Sequence, residues 1–94
     1  MPTPISGKKT VTTAGTAVVL GSQLVCAALM VKALAGNTGL IYVGNDGAGD
    51  VASTNGLELS AKEAVVFELV SNLADIWIDS AVNGEGVTWI VLSA

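Results

Sequence analysis

Glycine-bearing polar clusters punctuate this chain at short intervals, and between them lie brief runs rich in Val, Ile, Thr and Leu. About eight such runs, spaced roughly 8–12 residues apart, are the pattern of an all-β sandwich or barrel. Strands are predicted at Thr10–Thr13, Thr16–Leu20, Val25–Leu34, Leu40–Val43, Leu57–Leu59, Ala64–Leu69, Asp75–Asp79 and Val87–Leu92. Residues 25–34 carry enough Ala and Leu to suit a helix, and are read as strand because turn residues bound them. Turns fall at Ala14-Gly15, Gly36–Gly39, Ser60–Glu63 and Asn83–Gly86, with a long loop from Gly44 to Gly56. Met1–Gly7 holds Pro2 and Pro4 and reads as an extended arm. The expected organisation is therefore an arm over 1–7 and a single domain over 8–94. Its fold class is all-β: a small antiparallel β-sandwich, jelly-roll-like. Ile41-Tyr42-Val43-Gly44 and Ile76-Trp77-Ile78-Asp79 echo one another, as two similar strands of one sandwich would.

Composition narrows the function classes. Apolar residues make up 51% of the chain and charged residues 13%, the reverse of a disordered segment. His is absent, and the four cations are all lysines (Lys8, Lys9, Lys32 and Lys62) against eight acids, for a net charge of −4. A nucleic-acid binder needs a basic face to neutralise phosphates, so no nucleic-acid partner is expected. The longest apolar run, Ala17 to Ala35, is broken by Gly21, Ser22, Gln23 and Lys32, a poor match to a membrane span. A secretory leader with Lys8 and Lys9 as its basic end would have too long a leading segment, and the chain is read as uncleaved, with no membrane partner. A lone cysteine, Cys26, allows no internal disulfide and reads as a small buried hydrophobe.

No catalytic set emerges. Without His, the usual general base near neutral pH is missing, and no Arg stands ready to hold an oxyanion. Glu58, Glu63 and Glu68 lack the aromatic platforms of a sugar cleft. Asn45-Asp46-Gly47-Ala48-Gly49-Asp50 superficially resembles a calcium loop but lacks its alternating acids and terminal Glu. Asp79, Asn83 and Glu85 form a second acidic group that could approach it; the plainer reading of both is solvated turn residues. Neither an enzyme, a cofactor nor a metal is expected.

Side chains alternate across a strand. Ile76 and Ile78 therefore share one face, and Asp75, Trp77 and Asp79 the other, which the aspartates turn toward water. In the last strand both faces are apolar: Val87, Trp89 and Val91 on one, Ile90 and Leu92 on the other. A domain this small needs only one apolar face per sheet, so the surplus predicts a partner surface. Candidate contact residues are Lys8, Lys9, Tyr42, Trp77 and Trp89, with Trp77 foremost.

The order of motifs carries a resemblance. Lys9-Thr10-Val11-Thr12-Thr13-Ala14-Gly15-Thr16-Ala17-Val18 is followed by Gly36-Asn37-Thr38-Gly39-Leu40-Ile41-Tyr42-Val43-Gly44. Ser53-Thr54-Asn55-Gly56-Leu57-Glu58-Leu59 leads into Ala64-Val65-Val66-Phe67. Asn72-Leu73-Ala74-Asp75-Ile76-Trp77-Ile78-Asp79 and Gly86-Val87-Thr88-Trp89-Ile90 close the chain. Over roughly residues 8–92 this resembles small virion structural proteins encoded in the morphogenesis modules of tailed bacteriophages and prophages. Related chains have a Gly-Glu turn before the Phe strand, where this chain has Ala61-Lys62-Glu63. The resemblance implies a capsid decoration or cement protein, made in the bacterial host cytoplasm and carried on the virion surface. Its partners would be the major capsid protein and further copies of itself, as a homodimer or homotrimer. Lys8 and Lys9 would then pair with acidic capsid surface. A tail, neck or head-fibre component is the nearest alternative, and a carbohydrate- or calcium-binding module using the Gly44–Gly56 loop and Trp77 a more distant one.

Overall fold

The computed structural model describes residues 6–45 and 56–93. Eight strands follow one another along the chain: β1 (Ser6–Thr10), β2 (Val18–Val19), β3 (Leu24–Ala33), β4 (Ile41–Gly44), β5 (Leu57–Leu59), β6 (Ala64–Asn72), β7 (Trp77–Ser80) and β8 (Gly86–Ser93). They form two four-stranded antiparallel sheets, in the orders β1-β8-β3-β6 and β2-β7-β4-β5. First pairs with last, second with seventh, third with sixth and fourth with fifth. A chain that closes into one long antiparallel ribbon and then wraps over itself gives this order, the jelly roll. The all-β sandwich read from the glycine punctuation is the fold.

Alternation of burial sets the two sheets face to face. In β3, Val25, Ala27, Leu29, Val31 and Ala33 are buried, while Leu24, Cys26 and Lys32 are exposed. Leu29, Val31, Ile41, Ile78 and Val87 are fully enclosed between the sheets. Burying each such side chain contributes about 1.5–3 kcal/mol, which sets the register against any one-residue slip. Residues 25–33 are thus strand, with Leu34 just beyond it, and Ala27 and Ala33 serve the sheet interior rather than a helix. Among the described residues no helix is long and apolar enough to cross a membrane.

Two glycines are fixed by close approach. A Cβ on Gly86 would collide with the Lys9 carbonyl oxygen and come within 2.6 Å of Thr10 Cα, so β8 can start beside β1 only with glycine there. A Cβ on Gly7 would stand 2.6 Å from Trp89 Cζ2, because Gly7 is the cross-strand partner of Trp89 and the indole lies over it.

The second strand shortens to Val18–Val19 and the sixth runs on to Asn72, and three further departures from the sequence expectations have a local cause. Ser6 and Gly7 already belong to β1, paired with Ile90 and Trp89, so the arm boundary at Gly7 moves back; Met1–Ile5 lie outside the described residues. Thr12 and Thr13 are not strand. Here the chain must leave one sheet for the other, and its backbone bonds go to side chains instead: Ala14 N–H to Asn83 Oδ1 (2.7 Å) and Gly15 N–H to Asp79 Oδ1 (3.0 Å). β7 begins at Trp77 rather than Asp75, because a single 3-10 turn, Leu73–Asp75, precedes it. Asn72 Oδ1 accepts the Ala74 N–H and Asp75 Oδ2 the Asn72 N–H, a reciprocal cap that holds the turn.

Candidate functional site

The outer face of the β1-β8-β3-β6 sheet is the feature that stands out. Register places its side chains in rows. Lys8, Thr88, Lys32 and Ala64 form one row. Ser6, Ile90, Met30 and Val66 form the next. Ala28 heads a third, with Leu92 from β8 and Glu68 and Leu69 from β6. An outer sheet face ordinarily alternates to polar residues. Here Ile90, Leu92 and Val66 are each exposed by 41–49%, and Leu69 by 73%. The second and third rows are thus largely apolar, with Ser6 and Glu68 as their polar members, and are in contact with water. Ser6, Lys8, Met30, Lys32, Thr88 and Ile90 border a shallow hollow of about 510 Å³ on this face.

Local backbone irregularity builds part of the patch. Between Ala27↔Val70 and Leu29↔Phe67, β6 spends one more residue than β3, so Glu68 and Leu69 both turn outward. A second extra residue falls in β8 at Leu92. A third bulge lies in β3 between Leu24 and Ala27, where Cys26 takes a φ of 43°. That bulge turns Cys26 outward; its Sγ donates weakly to the Ser71 carbonyl at 3.8 Å. The expectation of a buried Cys26 is corrected accordingly: apolar neighbours in sequence do not bury a residue at a bulge.

The candidate contact residues do not gather at one place. Lys8 lies on the open face. Lys9 shares the inward face of its cross-strand partner Val87 and is half-buried at the sandwich edge. Trp89 is only 9% exposed and belongs to the core; its buried Nε1 has no hydrogen-bond partner among the described residues. Tyr42 and Trp77 sit on the outer face of the opposite sheet, Tyr42 buried and Trp77 half-buried beside Val19 and Gly44. Asp79 shares that face and is not turned to water. It is 7% exposed, and its Oδ1 accepts the Gly15 and Ser80 N–H groups at 3.0 and 2.8 Å.

The acidic group expected near the long loop is three separate structural acceptors. Asp79 and Asn83 take backbone N–H groups of residues 14–15, as above. Glu85 takes the N–H groups of Thr38 (2.7 Å) and Gly39 (2.9 Å) and the Thr38 hydroxyl (2.9 Å). The Gly39 and then the Thr38 N–H hold its carboxyl below the usual carboxylate range. Among the described residues no three Cys, Asp or Glu side chains converge as metal ligands would. Most of the calcium-like segment, 46–50, lies outside the described residues. The residues missed by the sequence reading are Met30, Val66 and Leu69. The runs Ala64-Val65-Val66-Phe67 and Leu69-Val70 carried the signal, being apolar on both faces like the last strand. No protein family, curated protein or solved structure matches this chain.

Proposed function

We propose that this chain is a non-enzymatic virion structural protein of a tailed bacteriophage, a decoration or cement protein that self-associates and sits on the capsid surface. The observation that carries the reading is the open apolar face of the β1-β8-β3-β6 sheet. A monomer of this size keeps such an area in water only at a cost that association relieves. The polar side chains that drew notice as chemistry, Asp79, Asn83 and Glu85, are committed to backbone donors of the fold. The resemblance over residues 8–92 supplies the setting. The jelly roll itself is shared by capsid proteins, lectins and cupins, and is neutral between them.

Cryo-electron microscopy of the particle that carries this protein tests the reading. Density for the chain at many equivalent positions between capsomers is the expected result. A bare shell, with the chain found only at the tail or neck, overturns the decoration role in favour of a tail, neck or fibre component.

A further inference from the structure

We infer that the open face of the β1-β8-β3-β6 sheet is covered by the same face of a second copy, across a two-fold axis that runs perpendicular to the strands at the level of Ile90, Met30 and Val66. The inference rests on the self-association contained in the proposed function, and not on the capsid.

Three observations select this occupant. First, the edges of the sheet are poor alternatives. β1 carries Lys8 and Lys9, and β6 is broken by the bulge at Glu68–Leu69, both of which discourage edge-to-edge strand pairing. The face remains. Second, two of the three charges on the face, Lys32 and Glu68, are self-complementary, while Lys8 lies at its β1 rim. Lys32 lies one row to one side of Met30, and Glu68 one row to the other, on the adjacent strand. Successive rows are about 6.7 Å apart and adjacent strands about 4.8 Å. A two-fold axis along the Ile90–Met30–Val66 row sets each of these residues against its own mate and brings each copy's Lys32 over the other copy's Ala28 and Glu68. Within one chain the two charges stand about 13 Å apart along the strands, too far to pair. Third, the remaining described acids are off this face. Asp79 and Glu58 flank Tyr42 on the opposite sheet, Glu63 and Glu85 lie in turns, and Asp75 caps the 3-10 turn.

The patch measures roughly 19 by 20 Å from sheet spacings, or about 760 Å² over two copies, below the ~1,000 Å² of a stable interface and in the range of weak, transient contacts. The dimer is therefore expected to be weak and concentration-dependent, with a dissociation constant on the order of 0.1 mM. On a repeating surface such a contact gains from multivalency.

Sedimentation velocity on the full chain, from about 1 µM to 1 mM, reads the equilibrium. The wild type is expected to pass from monomer to dimer. Ile90→Lys, at the axis, raises the dissociation constant by about tenfold or more. Lys32→Glu and Glu68→Lys each weaken the dimer, and the double variant Lys32→Glu/Glu68→Lys restores it, because the reversed pair again meets across the axis. Loss of fold cannot mimic that rescue, and far-UV circular dichroism of each variant confirms the fold. A wild type that stays monomeric throughout, a dimer indifferent to Ile90→Lys, or a double variant no better than the singles overturns the inference. Co-sedimentation with undecorated heads separates the two proposals. A dimer that obeys the charge swap yet never binds heads leaves this inference standing and removes the decoration role. Heads that bind a strictly monomeric chain do the reverse.

Discussion

The two sheets of this sandwich use their outer faces in opposite ways. On the β2-β7-β4-β5 sheet, Asp79 and Tyr42 are neighbours in register and both are buried, although they point away from the core. Residues 14 and 15 bind across Asn83 and Asp79, so a loop of the chain itself closes part of that face. On the β1-β8-β3-β6 sheet, among the described residues, no such binding holds a loop over Ile90, Met30 and Val66. Polar atoms thus sit under cover on one side, and apolar atoms stand in water on the other. The first face is stabilised from within the chain. The second presents apolar side chains to water among the described residues.

Breaking the closed face should have the largest effect. Asp79→Ala deletes the acceptor of the Gly15 and Ser80 N–H groups. Stranding buried donors costs about 1–3 kcal/mol each, and water can reach Gly15 once the loop loosens, so a net loss of about 2 kcal/mol is expected. Urea unfolding of the variant checks it. A change below about 0.5 kcal/mol, the range of ordinary surface substitutions, would mean that the loop contact adds nothing and that the two faces differ only in composition.

Glu85 gives a smaller effect with a defined sign. Its carboxylate binds Gly39 and Thr38 in the folded protein, which lowers its pKa there relative to the unfolded chain. The stabilisation is therefore complete above the ordinary Glu value of about 4.3 and is lost as pH falls through the lower folded value. Thermal melts between pH 6 and pH 3 should show Glu85→Gln less stable than the wild type at pH 6 and less sensitive to acid, the gap between the two closing below the ordinary value. Parallel curves would assign the acid response to other carboxylates.

Much of the fold was legible because its determinants are local. Gly-rich clusters mark the turns, and alternation in Val25–Ala33 marks an inward face, so the strands could be found one by one. The wrong edges share a cause. Thr12 and Thr13 have strand propensity but occupy the crossing between sheets. Asp75 looked like strand but caps a turn with Asn72. Both outcomes depend on bonds to residues whose positions only the fold decides. The contact residues were less legible for the same reason. Aromatic character singled out Tyr42, Trp77 and Trp89, yet Trp89 packs over Gly7 in the core and Tyr42 is covered. A bulge turned Leu69 outward together with Glu68, and a bulge cannot be read from period-two alternation, since it is an interruption of that period.

The smallest expected effect tests the open face from the side of stability. Ile90 is 41% exposed, and its neighbours Met30, Val66 and Ser6 form the same outward row. In dilute monomer its replacement by lysine removes little buried area, and the long lysine stem can lie along the same row. Its unfolding free energy should then change by no more than about 0.5 kcal/mol, as for a surface site, although the substitution sits in the middle of a strand. Repeating the unfolding at high concentration should separate the two proteins. The wild type gains apparent stability as the dimer forms, because association favours the folded state by mass action, while Ile90→Lys does not. A large loss already in dilute solution would place Ile90 in the monomer's own packing and make the open face a closed one.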